Sequence, residues 1–436
     1  MKYESMVGAV FLQRPNRFLA QCDLQGETVV AHVKNTGRCR ELLIPGVKVW
    51  LQDHRSEQKE RKTAFSLIAV EKQTERGTVL INMDSQAPNK IAEEALLNGR
   101  IKLPFEKGEE ILSIRREVTF GDSRFDLQVK TNQKLWYIEV KGVTLEDSCQ
   151  GICTARFPDA PTERGVKHIN ELIKVKEAGH GAAILFIIQM PHVDQFRPNW
   201  RTHPDLGFAL QQAQQAEVSV LAYDCAVKVG EVTAADEVEV ELSSSQTALW
   251  FSTEEKESLL YELTEVDLQF LSTHHNGKSG EKSVLAQALM KRAARQLGFP
   301  QVVVSRDEKG APITDFKGLY VSAAHTEGCC AAVASLNPVG IDAEPIAPLR
   351  EKVAKRVYSE RELLWMNAQE DKDYAFTLLW TLKEAYGKMR GVGLSAAQEV
   401  EFYEDAGRFI CTDKTLHIKV MQQGNILISS IERGSD

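Results

Sequence analysis

Asp342 and Glu344, one residue apart in "PVGIDAEPI", share one face if the stretch is a strand, with Val339, Ile341 and Ala343 on the other. Such side chains stand about 7 Å apart and can converge on a small divalent cation. Downstream, "WTLKEAYGK" places Glu384 and Lys388 one helical turn apart on one face, with Trp380 a turn before Glu384. A third carboxylate from that helix would complete an oxygen set of the kind Mg²⁺ takes, with positions left open for substrate phosphates. Both features also have plain structural meanings. A strand can simply have one solvated face, and a Glu–Lys pair at i,i+4 stabilises an exposed helix by about 0.2–0.5 kcal/mol. A second constellation lies in "WYIEVKGV", where Glu139 and Lys141 share a strand face opposite Ile138 and Val140. Alone, Glu-x-Lys on a strand is commonplace. Asp126 in "SRFDLQVK" would add a carboxylate beside Glu139 if its strand were a neighbour.

The elements that must position these residues fall into three regions. Up to residue 82 the pattern is of short strands, "FLAQCDL", "ETVVAHVKN", "VKVWLQD" and "AFSLIAVEK", which predicts a small barrel or sandwich. Arg14, Arg17, Lys34, Arg38 and Arg40 cluster there in sequence, either as a nucleic-acid face or as a solvated barrel surface. From residue 83 to 228 the order reads αβββαβαβ, beginning with the helix "NKIAEEALLNG", which suits a mixed sheet flanked by helices. Residues 229–246 are polar and acidic and read as a linker. The region 247–436 has a long helix in "KSVLAQALMKRAARQLG", strands around "LYVSAAH", "CCAAVAS" and "VGIDAE", helices at 351–369 and 373–390, and four closing strands. No sequence repeat stands out. The fold class expected is multidomain α+β.

Composition sets further bounds. The 436 residues are 43% hydrophobic and 26% charged, which is ordinary for globular domains. No apolar run is long enough to cross a bilayer, and the N-terminal stretch lacks the features of a secretory signal. The eight cysteines form no paired C-x2-C motif, which predicts thiols in a reducing cytoplasm and no membrane partner. The net charge of −8 is uneven: 31 Lys+Arg face 29 Asp+Glu in residues 1–230, against 22 and 32 in residues 231–436. A near-neutral half can present a basic groove to nucleic acid; an acidic half repels phosphate unless its cations are clustered.

"VGIDAE" followed by "WTLKEAYGKMRGVGL" resembles the 4'-phosphopantetheinyl transferase superfamily over residues 247–436. The resemblance implies the longer, pseudo-twofold α+β form of that fold. It implies transfer of 4'-phosphopantetheine from coenzyme A to a serine of an apo acyl or peptidyl carrier protein. Asp342, Glu344 and Glu384 would hold Mg²⁺, Glu384 would accept the serine proton, and Lys388, Lys383 and His325 would face phosphate. The family's Gly-Lys-Pro and Ser-His segments read Gly310-Ala311-Pro312 and Ala324-His325 here, so Lys309 or Arg306 would take the missing lysine's role. Trp380 is expected in the core, and Gly387 at a close approach. Loss of transferase function in this half remains the alternative.

The arrangement of Asp126, Glu139 and Lys141 resembles the PD-(D/E)XK nucleases, whose carboxylates bind Mg²⁺ and whose lysine orients the attacking water. More specifically, "RPNRF", "NTGR", "ELLIPG", "GDSRFD", "EVKGVTL", "FPDAPTERGVKH" and "FIIQM" make residues 1–228 similar to the sugar fermentation stimulation protein family. That resemblance implies an oligonucleotide-binding (OB) type barrel over 1–82, a restriction-endonuclease-like domain over 83–228, DNA as a partner, and a regulatory role in sugar metabolism. Asp126 and Glu139 become the metal ligands and Lys141 the catalytic lysine. Glu94 and Gln189 are weaker additions, and Arg124, Asp159, Arg164 and His168 would line the same groove. A non-catalytic DNA binder is the alternative.

Overall fold

The structure, a computed structural model, describes residues 1–35, 37, 39–56, 61–74, 76–149, 151–251, 259, 261–265, 267, 278–405 and 408–434. Two compact units divide it, Met1–Leu242 and Ser243–Asp436.

The first unit opens with β1 (Met6–Asn16), β2 (Leu19–Leu24), β3 (Glu27–Val33), β4 (Lys48–Asp53), β5 (Phe65–Thr74) and β6 (Gly77–Asn82). Val29, Ala31 and Val33 alternate inward along β3, as Val49 and Leu51 do along β4. The sheet runs β3-β2-β1-β4-β5-β6, and β3 then pairs parallel with β5, which closes the barrel. Closure removes most of the exposed edge. Of the five cations clustered in sequence, Arg14 is spent on the carbonyls of Gly37, Arg17 and Asn35, and Lys34 on Asp84 at 2.6 Å. Arg17 and Arg40 are exposed, and Arg38 lies outside the described residues.

The unit continues through α1 (Ala87–Leu97), β7 (Ile111–Phe120), β8 (Ser123–Thr131), β9 (Leu135–Val143), β10 (Leu145–Cys149), β11 (Ile152–Phe157), α2 (Glu163–Glu177), β12 (Gly181–Ile188), β13 (Gln195–Pro198), α3 (Pro204–Gln215), β14 (Ser219–Lys228), β15 (Glu231–Glu237) and β16 (Glu239–Val240). Its main sheet has the order β15-β14-β12-β9-β8-β7, with β9, β12 and β14 parallel. Parallel strands are buried on both faces, and every residue of "GAAILFII" in β12 is buried. Ile91, Ala92 and Leu96 of α1 pack with Ile138, Val140 and Leu185 on one face. Ile169 and Leu172 of α2 and Leu210 of α3 pack with Tyr137, Ile184 and Phe186 on the other.

Two expectations are corrected here. The αβββαβαβ reading misses a second sheet, β10-β11-β13-β16, built from strands of two to six residues that leave little periodic signal. The stretch 229–246 is not a linker: β15 pairs with β14, β16 joins β13, and Val232, Val238 and Leu242 are buried. Over 237–242 its acidic residues alternate with apolar ones, and Val238 and Leu242 turn inward.

The second unit contains β17 (Ser245–Phe251), α4 (Lys278–Gln296), β18 (Val304–Arg306), β19 (Pro312–Thr314), β20 (Tyr320–Thr326), β21 (Cys329–Ser335), β22 (Val339–Pro345), α5 (Glu351–Val357), α6 (Glu360–Ala368), α7 (Lys372–Arg390), β23 (Phe402–Asp405), β24 (Arg408–Cys411), β25 (Leu416–Gln423) and β26 (Ile426–Arg433). A topological repeat organises it. Strand β17, helix α4 and strands β20 and β21 give a sheet ordered β17-β21-β20; β22, α7, β25 and β26 give β22-β26-β25. In each, the first strand borders the last and a 19-residue helix follows the first strand. The single helix expected at 351–369 is two, because Ser359 starts a new one with a capping box to Glu362.

Candidate functional site

In the second unit the two halves meet along β20 and β22. The Ile341 amide donates to Ser322 Oγ at 3.2 Å across that seam. Register places Asp342 opposite Ser429 and Glu344 opposite Leu427, so both carboxylates come from the strand that borders the seam. Gly340 lets α7 close onto β22: a Cβ there would stand 2.0 Å from the Ala385 carbonyl oxygen and 2.6 Å from the Met389 nitrogen. Gly387 allows a different close approach, that of the turn after α7: a Cβ would stand 2.4 Å from the Gly393 carbonyl. With the helix that close, Lys388 reaches over the seam. Its Nζ donates to Asp342 Oδ1 at 2.8 Å, to the Ile341 carbonyl at 3.1 Å and to the Ala323 carbonyl at 3.5 Å.

The electrostatics show which groups face one another. Burial raises the Asp342 carboxyl above its usual range against the pull of Lys388. Burial and then Asp342 raise both Glu344 and Glu384, and Glu384 adds to the rise at Glu344. The Trp380 indole lies near enough to Glu344 to oppose that rise, so Trp380 is half-buried beside the site and not simply in the core. Burial, then Lys282, Lys388 and Arg306, hold the His325 imidazole below its usual range. Lys282, on α4, is a cation that sequence reading missed; only its placement on a folded helix brings it to His325.

Two expected contacts fall elsewhere. Lys383 has no exposed side-chain surface. It pairs with Glu362 at 2.8 Å and donates to the carbonyls of Ala397 at 2.5 Å and Val400 at 2.7 Å. It lies one residue from Glu384, about 100° around the helix, so a face that presents Glu384 cannot present Lys383. Lys309 is exposed in a turn whose Asp307 carboxylate accepts the Lys309 and Ala311 amides. Arg306 is exposed, donates to the Gly310 carbonyl at 3.3 Å, and stands near enough to influence His325.

A divalent cation fits this donor set. Asp342 Oδ2 is buried and has no hydrogen-bond partner, and the Glu344 and Glu384 carboxylates lie near enough to be influenced by Asp342. Among the described residues no three His, Cys, Asp or Glu side chains stand grouped so that they could hold a metal ion. Asp342, Glu344 and Glu384 are hard oxygen donors that would have to draw together to hold a divalent ion, and the Lys388 ammonium balances Asp342.

In the first unit Glu139 is 2% exposed on the central strand β9. Its Oε1 accepts from Lys141 Nζ at 2.5 Å and meets His168 Nδ1 at 2.5 Å, and Arg164 Nε lies 3.4 Å from His168 Nε2. Glu139 Oε2 is buried without a partner, the same signature as Asp342 Oδ2. Asp126 lies on the adjacent strand with both oxygens engaged, by Asn89 Nδ2 at 2.7 Å and the Val140 amide at 2.8 Å. Asn89 went unnoticed in the sequence. Gln189 and Asp159 line a cavity of about 110 Å³ with Gly142 and Thr144, just beyond Lys141. Gln189 Nε2 is committed to Asn82 and the Asp84 carbonyl. Glu94 is corrected: it pairs with the Met1 amine at 2.8 Å and lies outside the cluster. Arg124 pairs with exposed Glu117 at 2.8 Å.

A closed barrel joined to a mixed sheet with a buried Glu–Lys–His cluster, followed by a doubled β-α-β-β unit with a carboxylate seam, defines a fusion of two protein classes. The descriptions "SfsA N-terminal OB domain" and "Sugar fermentation stimulation protein RE domain" match residues 12–81 and 86–231. The description "4'-phosphopantetheinyl transferase superfamily" matches residues 338–423. The sugar fermentation stimulation protein homolog of Alkaliphilus oremlandii is 47% identical over 245 residues, covering 55% of this chain and 99% of that protein. That of Desulfitobacterium hafniense DCB-2 is 47% identical over 242 residues, covering 56% and 99%. The solved structure of Pyrococcus furiosus SfsA in complex with Ca²⁺ is 28% identical, with a TM-score of 0.48 over 55% of this chain and 98% of that one. The chain belongs to the sugar fermentation stimulation protein family and carries a 4'-phosphopantetheinyl transferase superfamily domain fused to it.

Proposed function

We propose that the second unit transfers 4'-phosphopantetheine from coenzyme A to a serine of an apo acyl or peptidyl carrier protein. The observation that carries this reading is the seam itself, where Asp342, Glu344 and Glu384 face one another beside Lys388 and His325. Asp342, Glu344 and Glu384 would hold Mg²⁺, which when bound there neutralises charge on a pyrophosphate. Lys388 and His325 bind phosphate oxygens, the former as a point charge and the latter as a neutral imidazole donor. The carrier serine oxygen bonds to the β-phosphorus while the bond from that phosphorus to the departing adenosine 3',5'-bisphosphate breaks. Glu384 accepts the serine proton, a task that its raised pKa suits. A cytoplasmic location accords with coenzyme A as substrate and with the seven buried thiols whose side chains are described. No helix among the described residues is long and apolar enough to cross a membrane. The test is intact-mass spectrometry of apo carrier proteins incubated with the full chain, coenzyme A and Mg²⁺. A gain of one phosphopantetheinyl group, absent with Asp342→Ala, is expected; no gain on several unrelated carriers would refute the proposal.

For the first unit we infer metal-dependent action on DNA, favoured by the unpartnered Glu139 Oε2 beside Lys141 and His168. Asp126 and Glu139 would hold the divalent ion, and Lys141 orients the attacking water. Cleavage of DNA with Mg²⁺ or Mn²⁺, lost in Glu139→Ala, is the expected result. Binding without cleavage would make this unit the DNA-associated regulator instead.

A further inference from the structure

The barrel displays an aromatic ring whose surroundings fit an unpaired base. Phe18 is 43% exposed. It sits in the two-residue turn between β1 and β2, where Asn16 Oδ1 accepts the amides of Phe18 at 2.9 Å and Leu19 at 3.1 Å. The Phe18 carbonyl accepts the Val33 amide at 2.7 Å, which fixes the turn against β3. Hydrogen bonds made by backbone groups thus hold the turn that carries the ring. The Arg17 guanidinium lies 4.7 Å from the ring centroid.

Beside the ring runs a groove of about 550 Å³ lined by Phe18, Leu19, His32, Arg61 and Lys62 among others, with no acidic residue among the described residues of its lining. That volume is within the range of small-ligand pockets, about 300–1,000 Å³. His32 and Ser66 face each other there across the parallel pairing that closes the barrel. An exposed aromatic face flanked by cations is the pattern by which proteins hold single strands: a base stacks on the ring while the backbone follows the positive groove. In a duplex the bases are already stacked and offer no such face.

We propose that Phe18 is a stacking platform for an unpaired base of single-stranded DNA, with Arg17, Arg61 and Lys62 holding the adjoining phosphates. This deepens, and rests on, the reading of the first unit as DNA-directed.

The test is fluorescence anisotropy of the full chain with labelled oligothymidylate and with a duplex of equal length, in EDTA so that nothing is cleaved. Phe18→Ala is expected to weaken single-strand binding about 5- to 150-fold, as stacking of one base implies, and to leave duplex binding unchanged. Phe18→Trp is expected to restore it. Unchanged single-strand affinity in Phe18→Ala, an equal loss on duplex, or no single-strand binding by the wild type would overturn the proposal. The two readings fail separately. Duplex cleavage without single-strand binding sinks only the platform, whereas Phe18-dependent single-strand binding without cleavage sinks only the nuclease.

Discussion

Replacing Lys383 by methionine separates a structural lysine from a phosphate-binding one. The ammonium is fully enclosed between Glu362 and the carbonyls of Ala397 and Val400. Burial holds it below the usual lysine range even with Glu362 alongside. Glu362 is itself fully engaged, accepting the amides of Ser359 and Phe402 at 2.8 Å each. Methionine fills the space of the lysine stem but leaves this carboxylate buried without its counter-charge. Removing one partner of a buried pair costs about 3–5 kcal/mol. For a unit of this size that lowers the midpoint of its unfolding by roughly 6–20 °C. Urea and thermal denaturation of the full chain read the loss, and steady-state kinetics well below the transition read KM for coenzyme A. The midpoint should fall while KM holds. Glu362→Gln should cost a similar amount, and the double variant less than the sum, because both changes remove one interaction. An unchanged midpoint with KM raised tenfold or more would refute the structural role and return Lys383 to the phosphates.

Gly340→Ala should drive β22 and α7 apart, with about 1–3 kcal/mol of overpacking and up to about a hundredfold loss of kcat if the carboxylates shift by 1 Å; wild-type kinetics would refute the close approach. Lys282→Ala should raise KM for coenzyme A about tenfold with kcat preserved, as loss of one charge-assisted contact implies; an unchanged KM removes it from the site. Because Asp342, Glu344 and Glu384 bind protons more tightly folded than unfolded, stability without divalent ions should fall as pH rises from the ordinary carboxylate range through their raised values. Mg²⁺ should oppose that fall increasingly over the same window, and Glu384→Gln should flatten it; identical melting profiles for wild type and variant would count against the shifts.

What the sequence disclosed was local periodicity. Alternation placed Asp342 and Glu344 on one strand face, and the i,i+4 spacing placed Glu384 with Lys388, because both follow from backbone geometry alone. Lys383 was misread by motif, although its position next to Glu384 already put it on another helix face. Lys34 and Arg14 read as a basic surface, but their partners, Asp84 and the carbonyls around Gly37, lie far away in sequence or on the backbone. The strands β10, β13 and β16 are too short to carry a period, so the sheet they form was invisible. The acidic stretch after residue 228 looked like a linker because charge dominated its composition; its buried positions, Val232, Val238 and Leu242, are few and widely spaced.

The doubled topology resolves the conflict between an acidic unit and a phosphate-rich substrate. The two β-α-β-β halves contribute unlike groups to one seam. The first half supplies His325, Lys282 and Arg306, and the second supplies Asp342, Glu344 and Glu384. Lys388 belongs to the second half but bonds carbonyls on both sides of the seam, Ala323 and Ile341. Net charge summed over residues 231–436 therefore says little about this site, where cations and carboxylates are segregated by strand. On the proposed function, a phosphate would meet the cations of the β20 side first and a divalent ion would be drawn to the carboxylates of the β22 side. The two halves share a fold and are both net acidic, so the difference between them lies in which side chains each brings to the seam.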